Sequence, residues 1–137
     1  WTIPPRRMKV KTAAHRVPLS RQAVDLLHSL PRMQGNPYLF PGAKPMRPIS
    51  NATMLATMQR LHLKAVPHGW RSTFRDWAAE NTDFSGDVAE KALAHTIKNK
   101  VERAYRRGDL FDKRRLLMQA WADYLTPAEN PENEKGA

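Results

Sequence analysis

Residues 67–80 read PHGWRSTFRDWAAE, and the fold turns on how this stretch is read. Trp70, Phe74, Trp77 and Ala78 recur at helical spacing and predict a helix from Pro67 to Glu80 with one apolar face turned to a core. His68 and Arg71 stand at its start, three residues apart and so on a shared face, where both can point at one object. Arginine grips two oxygens of a phosphate through its planar fork of donors. A neutral histidine adds a hydrogen bond or moves a proton, and the free N–H groups of a helix start also favour an anion. On these residues alone, a surface arginine and a capping histidine is the commoner reading.

The rest of the chain follows the same helical rhythm. Ser20 is an expected N-cap for a helix to about Leu30, with Ala23, Val24, Leu26, Leu27 and Leu30 inward, and Pro31 ends it. Residues 31–49 hold five prolines and two glycines and read as a long loop with one apolar touchdown at Tyr38-Leu39-Phe40. Further helices are expected from Ser50 to about Leu63 (Met54, Leu55, Met58, Leu61 inward), from Ser85 to about Ala94 (Val88, Ala89, Ala92, Leu93 inward) and, in a short piece, from Lys100 to Arg107. The last runs from Asp112, as N-cap, to Leu125, with Leu116, Leu117, Ala120, Trp121 and Tyr124 on one face. Residues 1–19 carry two β-type runs, WTIP and HRVPL, around a basic RRMKVKTAA, and predict an irregular hairpin. The fold class is therefore mainly α with a small N-terminal β-hairpin (α+β): one domain over 1–125, then a disordered acidic tail over 126–137. An isolated hairpin is marginal in water, and the first residue is not Met, so the chain reads as a piece cut from inside a longer protein.

Charge narrows the partner. The 137 residues hold 23 Lys and Arg against 13 Asp and Glu, a formal charge of +10. Residues 1–50 carry nine of those cations and a single acid, Asp25. Such a surplus favours a polyanion, either nucleic acid or an acidic membrane surface. No run of about 18 apolar residues would span a membrane, and no signal segment opens the chain. Cysteine is absent, which rules out disulfides and thiolate chemistry and suits a reducing cytoplasm.

Two further sites invite chemistry. His95, in ALAHTIKNK, lies just past its helix and is readable either as a ligand to an anion or as a histidine on the helix dipole. Tyr105 sits among Lys98, Lys100, Arg103, Arg106 and Arg107. With a pKa near ~10 tyrosine is a poor nucleophile, but a dense positive field and a neutralised phosphate favour the phenolate. The plainer alternative is an amphipathic tyrosine on a solvated basic helix. His15, His28, His62, His68 and His95 include no pair at metal-ligating helical spacing, and no glycine-rich phosphate loop is present. No cofactor is expected.

In order, His68-x-x-Arg71, His95 and Tyr105 resemble the tyrosine recombinase family, and within it the prophage and genomic-island integrases. HGWRSTFRDWA, EKALAHT, AYRRGDL and a final helix ending WADYL carry the likeness, and the N-terminal residues resemble the family's β-hairpin, so it spans about residues 1–125. The resemblance implies a DNA breaking-rejoining catalytic domain, truncated at its N-terminus. It implies that Tyr105 is the nucleophile, that Arg71 clamps the scissile phosphate, and that His68 assists proton movement. It implies that His95 hydrogen-bonds a phosphate oxygen and that a hairpin lysine, Lys11 or else Lys9, protonates the leaving 5′ oxygen. The family's first catalytic arginine has no counterpart here. The implied function is site-specific integration and excision through a 3′-phosphotyrosine, with the fragment itself nearly inactive. The implied partners are double-stranded attachment-site DNA, three further protomers in a homotetramer and a directionality factor, in the bacterial cytoplasm. A basic helical DNA-binding module without chemistry explains the charge equally well; an RNA-binding domain lacks the aromatic-rich strands that stack bases.

Overall fold

In the computed structural model, which describes residues 1–8, 13–95 and 108–126, the core grows from the stretch PHGWRSTFRDWAAE. Helix α3, Gly69–Asn81, buries Phe74, Trp77 and Ala78. It packs on α4, Gly86–Ala92, which contributes Val88 and Ala89. Both meet α5, Phe111–Leu125, through Leu117, whose side chain is fully buried, and through Trp121. Trp121 lies 4.8 Å from Trp77, centroid to centroid, and edge-on to Phe74 at 5.6 Å. Such offset and edge-to-face pairs add to the area they bury.

The other expected elements form with different boundaries. Strands β1, Thr2–Ile3, and β2, His15–Arg16, pair antiparallel with Thr2 opposite Arg16 and Ile3 opposite His15. A 3₁₀ turn, Pro5–Arg7, follows β1. Helix α1, Arg21–Ser29, is capped by Ser20 as expected, its Oγ accepting from the Ala23 N–H at 3.3 Å. Helix α2, Thr53–Arg60, is shorter than the apolar spacing suggests. His62 takes a left-handed φ of 54°, its N–H donating to Gln59 O while Leu63 N–H donates to Met58 O. That is a Schellman cap, and it closes the helix before Leu63. Residues 31–49 form the expected loop, strapped by a bridge between Pro41 and Pro48.

Several expected core faces are not buried. No residue of α1 is buried, and Leu26 is 62% exposed. Its apolar side lines an open hollow with Trp1, Leu19, Leu39 and Phe40 rather than a packed core. On α2 only Met58 is buried; Met54, Leu55 and Leu61 face out. Trp70 is half exposed because α3 enters the core only from its second turn. On α5, Leu116 and Tyr124 are exposed, and the Tyr124 ring stacks on Trp121 at 5.7 Å and lies tilted against Trp77 at 5.6 Å. Asp112 is not the N-cap of α5. Leu110 takes that position at φ 53°, and Asp109 serves the helix start by accepting from the Phe111 N–H at 3.1 Å.

Among the described residues one charged side chain is buried. Arg114 is 1% exposed, and its guanidinium donates to the backbone carbonyls of Asp109 at 2.7 Å and of Arg16 at 2.6 Å. Arg16 in turn pairs with the Asp109 carboxylate at 2.6 Å and lies over the Phe111 ring at 4.3 Å. The hairpin is thereby locked to the start of α5. A polar seam holds α1 to the far end of α5. Gln119 accepts from the Arg21 N–H and donates to Gln22, which donates to Asp123 at 2.6 Å.

The expected Lys100–Arg107 helix, the two hairpin lysines Lys9 and Lys11, and residues 127–137 of the expected acidic tail lie outside the described residues.

Leu117→Ala should lower unfolding free energy by about 2–5 kcal/mol, whereas Leu116→Ala, one position along the same helix, should stay within about 0.5 kcal/mol. Urea titrations of the two variants read the difference; equal losses would contradict the packing of α5.

Candidate functional site

The site is assembled by the two facing helices α3 and α4. His68 occupies the N-cap position of α3, with its side chain exposed and making no capping hydrogen bond. Its carbonyl accepts from the Arg71 N–H at 3.1 Å. One turn into the helix, Arg71 is half-buried and its Nη2 donates to the carbonyl of Leu93 at the end of α4. One turn further on, Arg75 Nε donates to Glu90 Oε1 at 2.7 Å. The other oxygen of Glu90 meets His95 Nδ1, also at 2.7 Å. Two arginines spaced i, i+4 on α3 thus reach across to the end of α4, and Glu90 links Arg75 to His95 just beyond it.

The end of α4 explains why His95 stands where it does. Ala94 takes φ 54° and its N–H donates to Lys91 O, while the His95 N–H donates to Glu90 O at 2.9 Å. This second Schellman cap reverses the chain and sets His95 beside the side chain of Glu90. Arg71 reaches the Leu93 carbonyl at that same helix end, where helical carbonyls are left without a partner in the next turn. An ionised carboxylate only accepts, so its contact puts the hydrogen on Nδ1 and leaves Nε2 as the ring nitrogen available to a ligand.

The Arg75 hydrogen bond, opposed by partial burial and aided by His95, holds the Glu90 carboxyl below its ordinary value. His15, on the hairpin, is shifted in the same direction for another reason: burial, then the neighbouring Arg114 charge, pull its imidazole below its ordinary value and favour the neutral ring. For Asp109, partial burial works against ionisation, but hydrogen bonds from Arg16 and the Phe111 N–H prevail and lower its value.

Of the residues singled out from the sequence, Arg71 meets the carbonyl of Leu93, two residues before His95, and His68 heads the same helix as Arg71. Lys11, its alternative Lys9, and Tyr105 lie outside the described residues. The chain on either side of the 96–107 stretch is held on α4. His95 is bound to Glu90 before it, and Lys91 Nζ donates to the Gly108 carbonyl after it. The next residue, Asp109, pairs with Arg16 of the hairpin strand that follows Lys11. Arg75 and Glu90 were not among the residues selected from the sequence. The available signal was the second arginine one helical turn after Arg71, and a glutamate five residues before His95.

Comparison with known proteins agrees with the sequence resemblance. Over 134 residues the chain is 40% identical to "Prophage integrase IntA" of Escherichia coli K12, a match covering 95% of this chain and 32% of that protein. It is 36% identical to "Prophage integrase IntZ" of the same organism, over 90% of this chain and 31% of that one. It is 33% identical to the "Integrase" of Enterobacteria phage P4, over 95% and 34%. The chain is a homologue of prophage integrases. It spans about a third of the length of these relatives. No family model matches it, and no solved structure does.

Two outcomes test the local geometry. Ala94→Gly should stabilise the domain by about 0.5–1 kcal/mol, since glycine takes the left-handed position without the Cβ penalty; a loss of stability on thermal melting would contradict the cap. Glu90 has a lowered folded-state pKa, so its contribution is present above about 4.5 and is lost as pH falls through the lower folded value. Glu90→Gln should therefore reduce the urea midpoint at pH 7, with the gap between variant and parent narrowing as pH falls below about 4.5.

Proposed function

We propose that this chain is part of the catalytic domain of a site-specific DNA recombinase of the tyrosine type, acting in the integration and excision of a mobile element. The meeting of Arg71 with the end of α4, two residues before His95, is the observation that carries this reading. In this reading Arg71 supplies the phosphate-gripping guanidinium and His95 the imidazole, and the contact of Arg71 with Leu93, two residues before His95, supports pairing them. Homology with prophage integrases supports the same conclusion.

The chemistry is a pair of transesterifications. The Tyr105 oxygen attacks the scissile phosphorus in line, forming a 3′-phosphotyrosine as the bond to the 5′ oxygen breaks. Lys11, or Lys9 in its place, gives the proton that the leaving oxygen requires. A 5′ hydroxyl from a partner strand then attacks the phosphotyrosine, returning the tyrosine and rejoining DNA with no net loss of phosphodiester bonds. Arg71 and His95 offset the charge that gathers on the phosphoryl oxygens. His68, at the head of α3, assists the proton's movement near the nucleophile. Exchange between two duplexes requires four protomers, and a directionality factor would bias integration against excision.

Of the arginine pair that the resemblance calls for, only Arg71 has a counterpart among these residues. One missing phosphate clamp costs roughly 3 kcal/mol of transition-state stabilisation, so we propose that the chain alone turns over slowly while a full-length parent is active.

In that parent, Tyr105→Phe should abolish the covalent protein–DNA adduct on a nicked suicide duplex while leaving duplex binding intact. Arg71→Ala should slow adduct formation by about 10²–10³-fold. A Tyr105→Phe protein that still forms the adduct would sink the nucleophile assignment. No adduct from the parent itself would favour a DNA-binding module without chemistry.

A further inference from the structure

Glu90 and His95 are joined twice. The His95 N–H donates to the Glu90 carbonyl at 2.9 Å, and His95 Nδ1 meets Glu90 Oε2 at 2.7 Å. The other carboxylate oxygen, Oε1, accepts from Arg75 Nε at 2.7 Å. Each oxygen of Glu90 therefore has its own partner, one from α3 and one from the residue past the end of α4. The Arg75 hydrogen bond holds the Glu90 carboxyl below its ordinary value, so it is ionised at neutral pH. The Glu90 and His95 side chains are 36% and 47% exposed, so their contact adds little to stability. What it fixes is the ring: its rotation, and the nitrogen that carries the hydrogen.

That placement has a consequence for an anion. A neutral imidazole carries one N–H. A carboxylate only accepts, so it takes that hydrogen at Nδ1 and leaves a bare lone pair at Nε2. A phosphoryl oxygen of a DNA diester also only accepts, so the neutral ring has nothing to give it. Nε2 becomes a donor when the ring takes a second proton from solvent. A carboxylate on Nδ1–H both orients an imidazole and stabilises the imidazolium. The charged groups on the elements that meet here are His68, Arg71 and Arg75 of α3 and Asp87, Glu90 and Lys91 of α4. Arg71 and Lys91 are turned to the carbonyls of Leu93 and Gly108. At the start of α5, Asp109 and Arg114 are turned to the hairpin. Glu90 is the anion that reaches the ring.

We infer that Glu90, pinned by Arg75, is the positioning residue for His95, and that it makes the imidazolium, with Nε2–H as donor, the one form of the ring that engages a phosphoryl oxygen. The phosphate as partner rests on the recombinase reading above; the tautomer does not. Engagement then takes up one proton and weakens as pH rises. Glu90→Gln should reverse the polarity of the contact. An amide has one acceptor oxygen, and Arg75, which only donates, keeps it. The amide nitrogen then faces Nδ1, which must accept, and the ring hydrogen moves to Nε2. In that variant the neutral ring already carries the donor that a phosphate needs.

Long-range proton–nitrogen NMR correlations on the 137-residue chain at pH 9, above the ordinary imidazole range, read the tautomer directly. His95 should carry its hydrogen on Nδ1 in the unsubstituted chain and on Nε2 in Glu90→Gln. Arg75→Ala/Glu90→Gln, whose amide is free to turn, should show both forms. Nε2–H in the unsubstituted chain, or one tautomer common to it and a folded Glu90→Gln, would overturn the positioning role whatever the reaction. Catalysis is read in the full-length parent as adduct formation on a nicked suicide duplex from pH 6 to pH 9. The ratio of the Glu90→Gln rate to the parent rate cancels the ionisation of Tyr105. It should rise with pH by about tenfold or more, within the about 10²–10³-fold that one donor to a reacting oxygen is worth. A flat ratio would overturn the imidazolium requirement and leave the recombinase reading standing. No adduct from the parent at any pH would overturn that reading and the phosphate contact with it, and the tautomers would still decide the role of Glu90.

Discussion

A single buried guanidinium, that of Arg114, fixes how the two ends of the domain meet. Burying a charge is costly unless its donors are satisfied, and Arg114 satisfies them on backbone carbonyls from distant parts of the chain. The consequence is directional. The hairpin strand His15–Arg16 cannot shift relative to the start of α5 without leaving donors unpaired inside the protein. Arg16 and Asp109 close the same joint from the solvent side, and the Phe111 ring lies under both guanidinium groups. The hairpin that carries the candidate general acid and the segment that follows the candidate nucleophile are therefore joined to each other, and α5 to both.

The second joint is the end of α4, a helix of only seven residues. Short helices are not stable by themselves, and this one is held by what converges on it: Phe74 and Trp77 from α3, Leu117 from α5, and the two arginines of α3. Its left-handed cap at Ala94 is strained in a way that glycine would not be. The strain sits between the carbonyl that Arg71 holds and the imidazole that Glu90 holds, where a change in chain direction is needed within two residues.

Much of this was legible in sequence where apolar residues recur with a single period. The buried faces of α3 and α4 and the hairpin pairing follow from spacing, proline placement and β-branched residues. The boundary of α2 was not legible, because it depends on His62 adopting a left-handed conformation, which no local composition announces. The capping of α5 was misassigned to Asp112 because an acid before an apolar run looks like an N-cap; Asp109, three residues earlier, reaches the helix start across a turn. Nothing in DKRR distinguishes Arg114 from its charged neighbours, since its burial depends on a carbonyl of the hairpin 98 residues away. Among the candidate site residues, the closeness of Arg71 to the end of α4 could be guessed from family likeness but not from spacing. The intermediary pair Arg75 and Glu90 needed the packing of α3 on α4 to become visible.

The spacing of Arg71 and Arg75 has a consequence for tolerated changes in length. The two guanidinium groups reach their partners because they stand one helical turn apart on the face that looks at α4. Inserting or deleting one residue between them would rotate one arginine by about 100° relative to the other, and the helix could present Leu93 or Glu90 with its arginine, but not both. Between residues 71 and 95 the chain is thus metrically fixed: its helix phases, the loop over 82–85 and the cap at Ala94 form one gauge. The loop over 31–49 has no such phase to keep outside its strapped turn, and variation in length can collect there without touching the contacts between α3 and α4.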